Sequence, residues 1–292
     1  MSGSVVEEAV RNGDRKVGFL ARGPDDGRVV LYLHGAPGSR REQYWVPDEV
    51  LDRFEVRLVS VDRSGYGKSD PLTGGRPGRV GDFLAVLDHF SVERAPVIGV
   101  SSGGSFALTL ASIAPDRIER VILSSAQMPY DDPDAIAGLD PLMSEGLDDA
   151  RAGRGPRLEA LFEEMRTELL QDPVGALGPA LTTMSERERE LIDRPWFHDF
   201  LSEDIKEGVR MSIEGYIEDE LSSVRAFEID PTTVACAVRA VHGELDDWEP
   251  LPNLRRILDR LPDSQIFVLE GLNHFGPLLY PDLVISLAVG SD

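Results

Sequence analysis

Ser101 stands between two glycines in Gly99-Val100-Ser101-Ser102-Gly103, a spacing that makes it a candidate nucleophile. The apolar run Val97-Ile98-Gly99-Val100 predicts a strand before it, and the Ala- and Leu-rich segment ending at Pro115 predicts a helix after it. A strand that reverses sharply into a helix leaves the intervening side chain exposed at the strand's carboxyl end. Glycines on either side are needed because a Cβ there would collide with the reversing backbone.

A serine hydroxyl is too weakly acidic to attack unaided, so it needs a base and a carboxylate to orient that base. Of the five histidines, His89 is placed within a helix after the Asp82-to-Leu87 run and His198 within a long acidic segment. His34 and His242 each end a predicted strand before a glycine. His274, in Gly271-Leu272-Asn273-His274-Phe275-Gly276, follows the last predicted strand in a loop that can bring an imidazole over the sheet edge, and is the expected base. For the acid, Val241-His242-Gly243-Glu244-Leu245-Asp246-Asp247-Trp248 follows the penultimate strand. Asp246 is the choice, Asp247 its rival as a turn residue, and Glu244 is read as solvated.

Acyl transfer also calls for backbone N–H groups aimed at the developing oxyanion. Leu33-His34-Gly35-Ala36-Pro37-Gly38-Ser39 fits, with the Ala36 N–H as one donor and the Ser102 N–H, behind the nucleophile, as the other. Ser39 and Glu42 have the spacing of a capping box, which predicts a helix directly after this loop.

These residues need a scaffold. Val29–Leu33, Val56–Val61, Pro96–Val100, Arg120–Ser124, Ala237–Val241 and Gln265–Leu269 are short β-branched runs, mostly with helical segments between them. That alternation predicts an α/β fold with a parallel sheet buried on both faces. Asn12-Gly13-Asp14 predicts an opening hairpin, for about eight strands in all. Residues 127–233 break the alternation: Arg157–Leu170, Glu186–Ile192 and Asp199–Val224 have helical patterns without a strand. The expected division is a core of residues 1–126 and 234–292 with a helical cap of residues 127–233.

The chain of 292 residues carries a net charge of −22. Residues 127–233 hold 26 acidic against 10 basic side chains, a net −16, so the negative charge is concentrated in the expected cap. Such a balance argues against nucleic acid as a partner. It reads first as a solvated surface and second as a bias against anionic substrates. The single cysteine, Cys236, excludes an intramolecular disulfide and reads as a small core residue. The acidic start Met1-Ser2-Gly3-Ser4-Val5-Val6-Glu7-Glu8 lacks the basic and apolar regions of a signal peptide, and no stretch approaches the ~20 apolar residues of a membrane span. A cytoplasmic location without a membrane partner is expected.

Taken in order, the motifs resemble a capped α/β-hydrolase along essentially the whole chain. His34-Gly35-x-Pro37-Gly38 is similar to the oxyanion loop of that superfamily, Gly99-x-Ser101-x-Gly103 to its nucleophile elbow, Gly243-x-x-Asp246 to its acid turn and His274-Phe275 to its base. Asp62-Arg63-Ser64-Gly65-Tyr66-Gly67-Lys68-Ser69-Asp70 resembles a turn that braces the sheet and the oxyanion loop, which makes Asp62 and Ser69 structural. The oxyanion loop is also similar to that of proline iminopeptidases, although Ala36 stands where those usually have glycine and Ser102 where they have tryptophan. By that resemblance Glu203, Glu214, Glu218 or Asp219 would meet a substrate amine; an exposed helix face explains them more simply. Haloalkane dehalogenases and epoxide hydrolases resemble the fold but use aspartate at the elbow, so Ser101 argues against both.

The resemblance implies a serine hydrolase acting on a small-molecule ester, lactone or amide with no metal or organic cofactor. Carbon–carbon bond hydrolysis, an aminopeptidase, a biosynthetic acyltransferase or cyclase, and a ligand-binding protein on the same fold are the alternatives. Selectivity would lie in the cap, where Trp196, Phe197, Phe200 and Tyr216 read as core packing or, failing that, as pocket lining.

Overall fold

The computed structural model describes residues 3–137, 139 and 147–290; the remaining positions assigned above to core and cap lie outside the described residues. Strands β1 (Val6–Asn12) and β2 (Arg15–Arg22) form the expected hairpin, with Gly13 at φ +60° in its turn. β3 (Arg28–Leu33), β4 (Val56–Val61), β5 (Ala95–Val100), β6 (Ile118–Ser124), β7 (Ala237–Gly243) and β8 (Ser264–Leu269) complete an eight-stranded sheet. Its order is β1-β2-β4-β3-β5-β6-β7-β8, antiparallel through β2/β4 and parallel from there on.

Helices cover both faces because the strands alternate between two apolar surfaces. Leu31 and Leu33 pack with α2 (Val80–His89) and α3 (Gly103–Ile113), whereas Val30 and Tyr32 pack with α1 (Asp48–Arg53) and Trp45 on the other side. Cys236, just before β7, is half-buried against the first of these clusters. His89 ends α2 rather than lying inside it, exposed and against the Phe19 and Phe90 rings.

Between β6 and β7 the described residues form helices and no strand: α4 (Leu147–Arg151), α5 (Pro156–Gln171), α6 (Pro173–Ala176), α7 (Gly178–Leu181), α8 (Glu186–Ile192), α9 (Pro195–Val209) and α10 (Glu214–Ser223). The long pattern expected over Asp199–Val224 is thus two helices, interrupted at residues 210–213. Phe162, Leu191, Phe197, Ile205 and Ile217 share the cap's own apolar cluster. After β7 come α11 (Leu251–Leu258) and, past β8, α12 (Pro281–Val289).

Arginines tie cap to core. Arg40, fully buried, donates to Asp62 of the core (2.7 Å) and to Glu207 of α9 (2.7 Å). Arg63 and Arg79 both donate to Asp219 of α10. Asp62 also accepts from the Lys68 N–H (2.8 Å), and Ser69 bridges the Asp62 carbonyl (2.7 Å) and the Gly18 N–H (2.9 Å), the bracing expected of that turn. Among the described residues no helix is long and apolar enough to cross a membrane.

Candidate active site

β5 ends in the sharp turn its sequence predicts. Ser101 takes φ +49°, a left-handed conformation strained for a residue with a Cβ. A Cβ on Gly99 would lie 2.5 Å from the Gly103 carbonyl oxygen, and one on Gly103 would lie 2.2 Å from the Leu33 carbonyl oxygen. Both neighbours are backbone and cannot step aside. Gly103→Ala is therefore expected to cost about 2–3 kcal/mol, lowering the melting temperature by roughly 5 °C or more; an unchanged melting curve would show that the turn tolerates a side chain.

His274 and Asp246 approach the same place from the loops after β8 and β7. The Asp246 carboxylate accepts from His274 Nδ1 at 3.0 and 3.2 Å, and one of its oxygens also accepts the Trp248 and Glu249 N–H groups (3.1 and 2.9 Å). Burial would push this carboxyl up, but the facing His274 and His242 and the Glu249 N–H hold it below its ordinary value. For His274, burial disfavours the imidazolium, but the Asp246 charge and hydrogen bond outweigh it and raise the ring above its ordinary 6.5. Asp247, the rival acid, is half-buried and accepts from Thr183 (3.3 Å), while exposed Glu244 accepts the Gly271 N–H. The other histidines have different partners: His34, kept neutral by burial, accepts the Arg63 N–H at Nε2 (3.0 Å), and His242, 3.4 Å from Asp246, donates to the Glu249 carbonyl (2.8 Å). His198 is exposed on the cap.

Gly35, Ala36, Ser101, Ser102 and His274 all line one cavity of about 400 Å³, a size suited to a small organic ligand. Among the described residues, neither the Ala36 nor the Ser102 N–H donates to a protein acceptor. Trp248 stacks on the His274 ring, with centroids 4.9 Å apart and planes at 27°. Cap residues Phe162, Met165, Leu169, Phe200 and Tyr216 close the cavity from above. Of the four aromatics considered from sequence, Phe200 and Tyr216 line it, Phe197 is buried in the cap core and Trp196 is half exposed.

Three supporting features escape the sequence reading. Glu42 does not close a capping box. Ser39 accepts the Arg41 N–H (3.2 Å) and donates to Asp204, while the Glu42 carboxylate turns back to accept the Gly35 N–H (3.0 Å) and the Tyr32 hydroxyl (2.8 Å). Residues 40–45 form a 3-10 turn, in which the i, i+3 geometry differs from an α-helix. Burial lifts Glu42 to about 7. Arg63, overlooked between Asp62 and Ser64, donates to the His34 and Gly35 carbonyls (3.0 Å each) and to Ser102 Oγ (2.7 Å), binding the loop after β3 to the turn after β5. Glu188 of α8 accepts the Asn273 N–H (3.0 Å), so the cap also holds the loop that carries His274. An arginine directly after Asp62 was the one signal in the sequence for Arg63; the Glu188 contact joins positions distant in the chain.

The acids of α10 also differ from their simplest reading. Glu218 and Asp219 are buried, Asp219 against Arg63, Arg79 and the Tyr66 hydroxyl (2.8 Å), and Glu218 3.7 Å from Arg79. They are not an exposed face, because the core supplies arginines to receive them. Glu214 pairs with Arg154 (2.8 Å), and Glu203 alone of the four is exposed, 3.6 Å from Arg41.

Comparison with known proteins agrees with this architecture. The chain is 26% identical to the 2-hydroxymuconate semialdehyde hydrolase of Pseudomonas sp. over 258 residues, covering 85% of this chain and 81% of that one. It is 33% identical over 107 residues to a candidate 2-succinyl-6-hydroxy-2,4-cyclohexadiene-1-carboxylate synthase of Bacillus subtilis; that match covers 35% of this chain and only 38% of the relative. The bromoperoxidase structure from Bacillus anthracis superposes with a TM-score of 0.71 at 19% identity, over 99% of this chain and 100% of that one. The sequence matches the alpha/beta hydrolase fold family over residues 28–277, and the chain belongs to that family.

Proposed function

We propose that this chain is a serine hydrolase that cleaves a small-molecule carboxylic ester, lactone or amide through an acyl-enzyme. The observation that carries the reading is the convergence on one cavity of a serine at φ +49°, a histidine hydrogen-bonded to a buried aspartate, and two unengaged N–H groups. The hydrolase name of the relative matched over most of this chain supports hydrolysis as the type of reaction.

Ser101 Oγ attacks the substrate carbonyl carbon while His274 Nε2 takes its proton, and Asp246 stabilises the imidazolium that forms. The carbonyl oxygen gains the negative charge and accepts from the Ala36 and Ser102 N–H groups. Collapse breaks the bond to the leaving group, which receives the proton from His274. A water, deprotonated by the same ring, then attacks the acyl carbon and releases the acid and Ser101. The protein groups suffice for every proton transfer, so the reaction as proposed calls for no cofactor.

The test is hydrolysis of short p-nitrophenyl esters across pH. Neutral His274 is the reactive form, so kcat/KM is expected to fall as pH drops through a midpoint above the ordinary 6.5. Catalytic release of p-nitrophenol with that acid limb supports the reading. A folded protein that releases none, or a rate independent of pH from 5 to 9, contradicts it.

A further inference from the structure

We propose that Glu42 is a positioning residue of the reaction: its carboxyl, set between β3 and the loop that follows it, fixes that loop so that the Ala36 N–H meets the oxyanion. The oxyanion belongs to the hydrolase reading, on which this role rests; the hold of Glu42 on the loop does not depend on it.

Ala36 can serve as a donor only if its peptide plane is held, since the N–H and carbonyl of one trans peptide point in opposite directions. The carbonyl of that plane belongs to Gly35. It accepts from Arg63 (3.0 Å) and from His34 Nδ1 (2.6 Å), which carries the proton because Nε2 accepts the Arg63 N–H. The Ala36 N–H is thereby turned away from both, and Ala36 lines the cavity. The preceding plane is anchored by Glu42. Its N–H, on Gly35, is donated to the two Glu42 oxygens (3.0 Å each). Glu42 is held in turn by the Tyr32 hydroxyl (2.8 Å), which accepts from Trp45 Nε1 (2.8 Å), so the carboxyl is tied to the buried end of β3. At the far end of the loop Asp204 of α9 accepts the Ser39 N–H (3.0 Å) and hydroxyl (2.6 Å), and residues 36–38 span the two anchors. A buried N–H left without an acceptor is costly, so a loop deprived of Glu42 would turn Gly35 toward water.

Its place separates Glu42 from a brace such as Asp62, which lies away from the cavity. A Cβ added to Gly35 would meet Glu42 Oε1 at 3.0 Å and Ser101 Cβ at 3.1 Å, so carboxyl and nucleophile flank this glycine. Burial lifts Glu42 to about 7 against the Tyr32 and Gly35 hydrogen bonds and the Arg63 and His274 charges, and Asp204, a second buried acid, feels its charge. Near neutral pH Glu42 thus carries part of its charge, which joins those of Asp246 and Glu188 in raising His274.

The experiment measures kcat and KM for p-nitrophenyl acetate in Glu42→Ala and Glu42→Gln. In Glu42→Ala kcat is expected to fall about 10- to 100-fold with KM within about threefold of wild type, because a displaced donor fails the transition state more than the ground state. Glu42→Gln keeps an oxygen for the Gly35 N–H and should recover kcat to within about fivefold of wild type. Its acid limb should move to lower pH, because the charge near His274 is gone. A role in packing alone moves neither the split between kcat and KM nor the acid limb. An unchanged kcat in folded Glu42→Ala, a loss confined to KM, or a Glu42→Gln that neither recovers kcat nor moves the limb overturns the proposal. Should Glu42→Ala not fold, Glu42→Asp withdraws the carboxyl by one methylene; a smaller fall in kcat is expected and an unchanged kcat is contrary. Hydrogen exchange of the Gly35 amide, followed by NMR, reads the hold itself: exchange about tenfold faster in Glu42→Ala than in wild type is expected, and equal rates refute it. A wild type that turns over no ester puts hydrolysis in error, while the exchange rates still decide whether Glu42 holds the loop.

Discussion

Ser101→Ala is expected to lower kcat on p-nitrophenyl acetate by about 10⁵- to 10⁶-fold, leaving only the residual rate that the oxyanion donors and binding provide. The loss follows from the chemistry, since the other hydroxyl of this turn is already engaged. Ser102, the adjacent hydroxyl, accepts from Arg63 (2.7 Å), whose guanidinium also binds the His34 and Gly35 carbonyls. The melting temperature should not fall, because alanine fits at φ +49° no worse than serine. Removal of a nucleophile therefore separates activity from stability, which a general packing defect would not. A variant retaining a tenth of the wild-type rate would mean that the hydrolysis arises at another group.

The second large effect is expected from Asp246→Asn, about 10⁴-fold in kcat. An amide can still contact His274 Nδ1, but its NH₂ group would favour the tautomer with the proton on Nε2, the wrong nitrogen for accepting one from Ser101. The variant also removes the charge that raises His274, so whatever activity remains should have its acid limb displaced to lower pH. The sign is fixed: without Asp246 the buried ring loses its main support for the protonated form and stays neutral further into acid. Substituting Asp247 in the same way should change kcat less than about threefold, since it makes no bond to His274 and surface substitutions of this kind are usually mild. Steady-state kinetics of the two variants side by side checks the assignment, and comparable losses in both would refute it.

How much was legible beforehand depends on the range of each contact. Gly99, Ser101 and Gly103 announce the turn because their constraints act within a few residues, as do Asn12 and Gly13 in the hairpin. The strands announce themselves because a parallel sheet buried on both faces demands continuous apolar runs. His274 and Asp246 could be chosen because a strand order confines candidate partners to the ends of the last two strands. Glu42 could not: the Ser39 spacing suits a local cap, but Gly35 and Tyr32 compete for the same carboxylate, and the backbone takes a 3-10 form. Glu218 and Asp219 looked like a solvated face because the arginines that bury them, Arg63 and Arg79, lie well over a hundred residues earlier.

The most direct measurement is mass spectrometry of the intact protein and its peptides after exposure to a fluorophosphonate, for wild type and Ser101→Ala. An activated serine is expected to gain one phosphonyl adduct, mapped to Ser101 and absent from the variant. A folded wild type that stays unlabelled, or carries the adduct on another residue, would contradict Ser101 as the nucleophile and with it the acyl-enzyme mechanism.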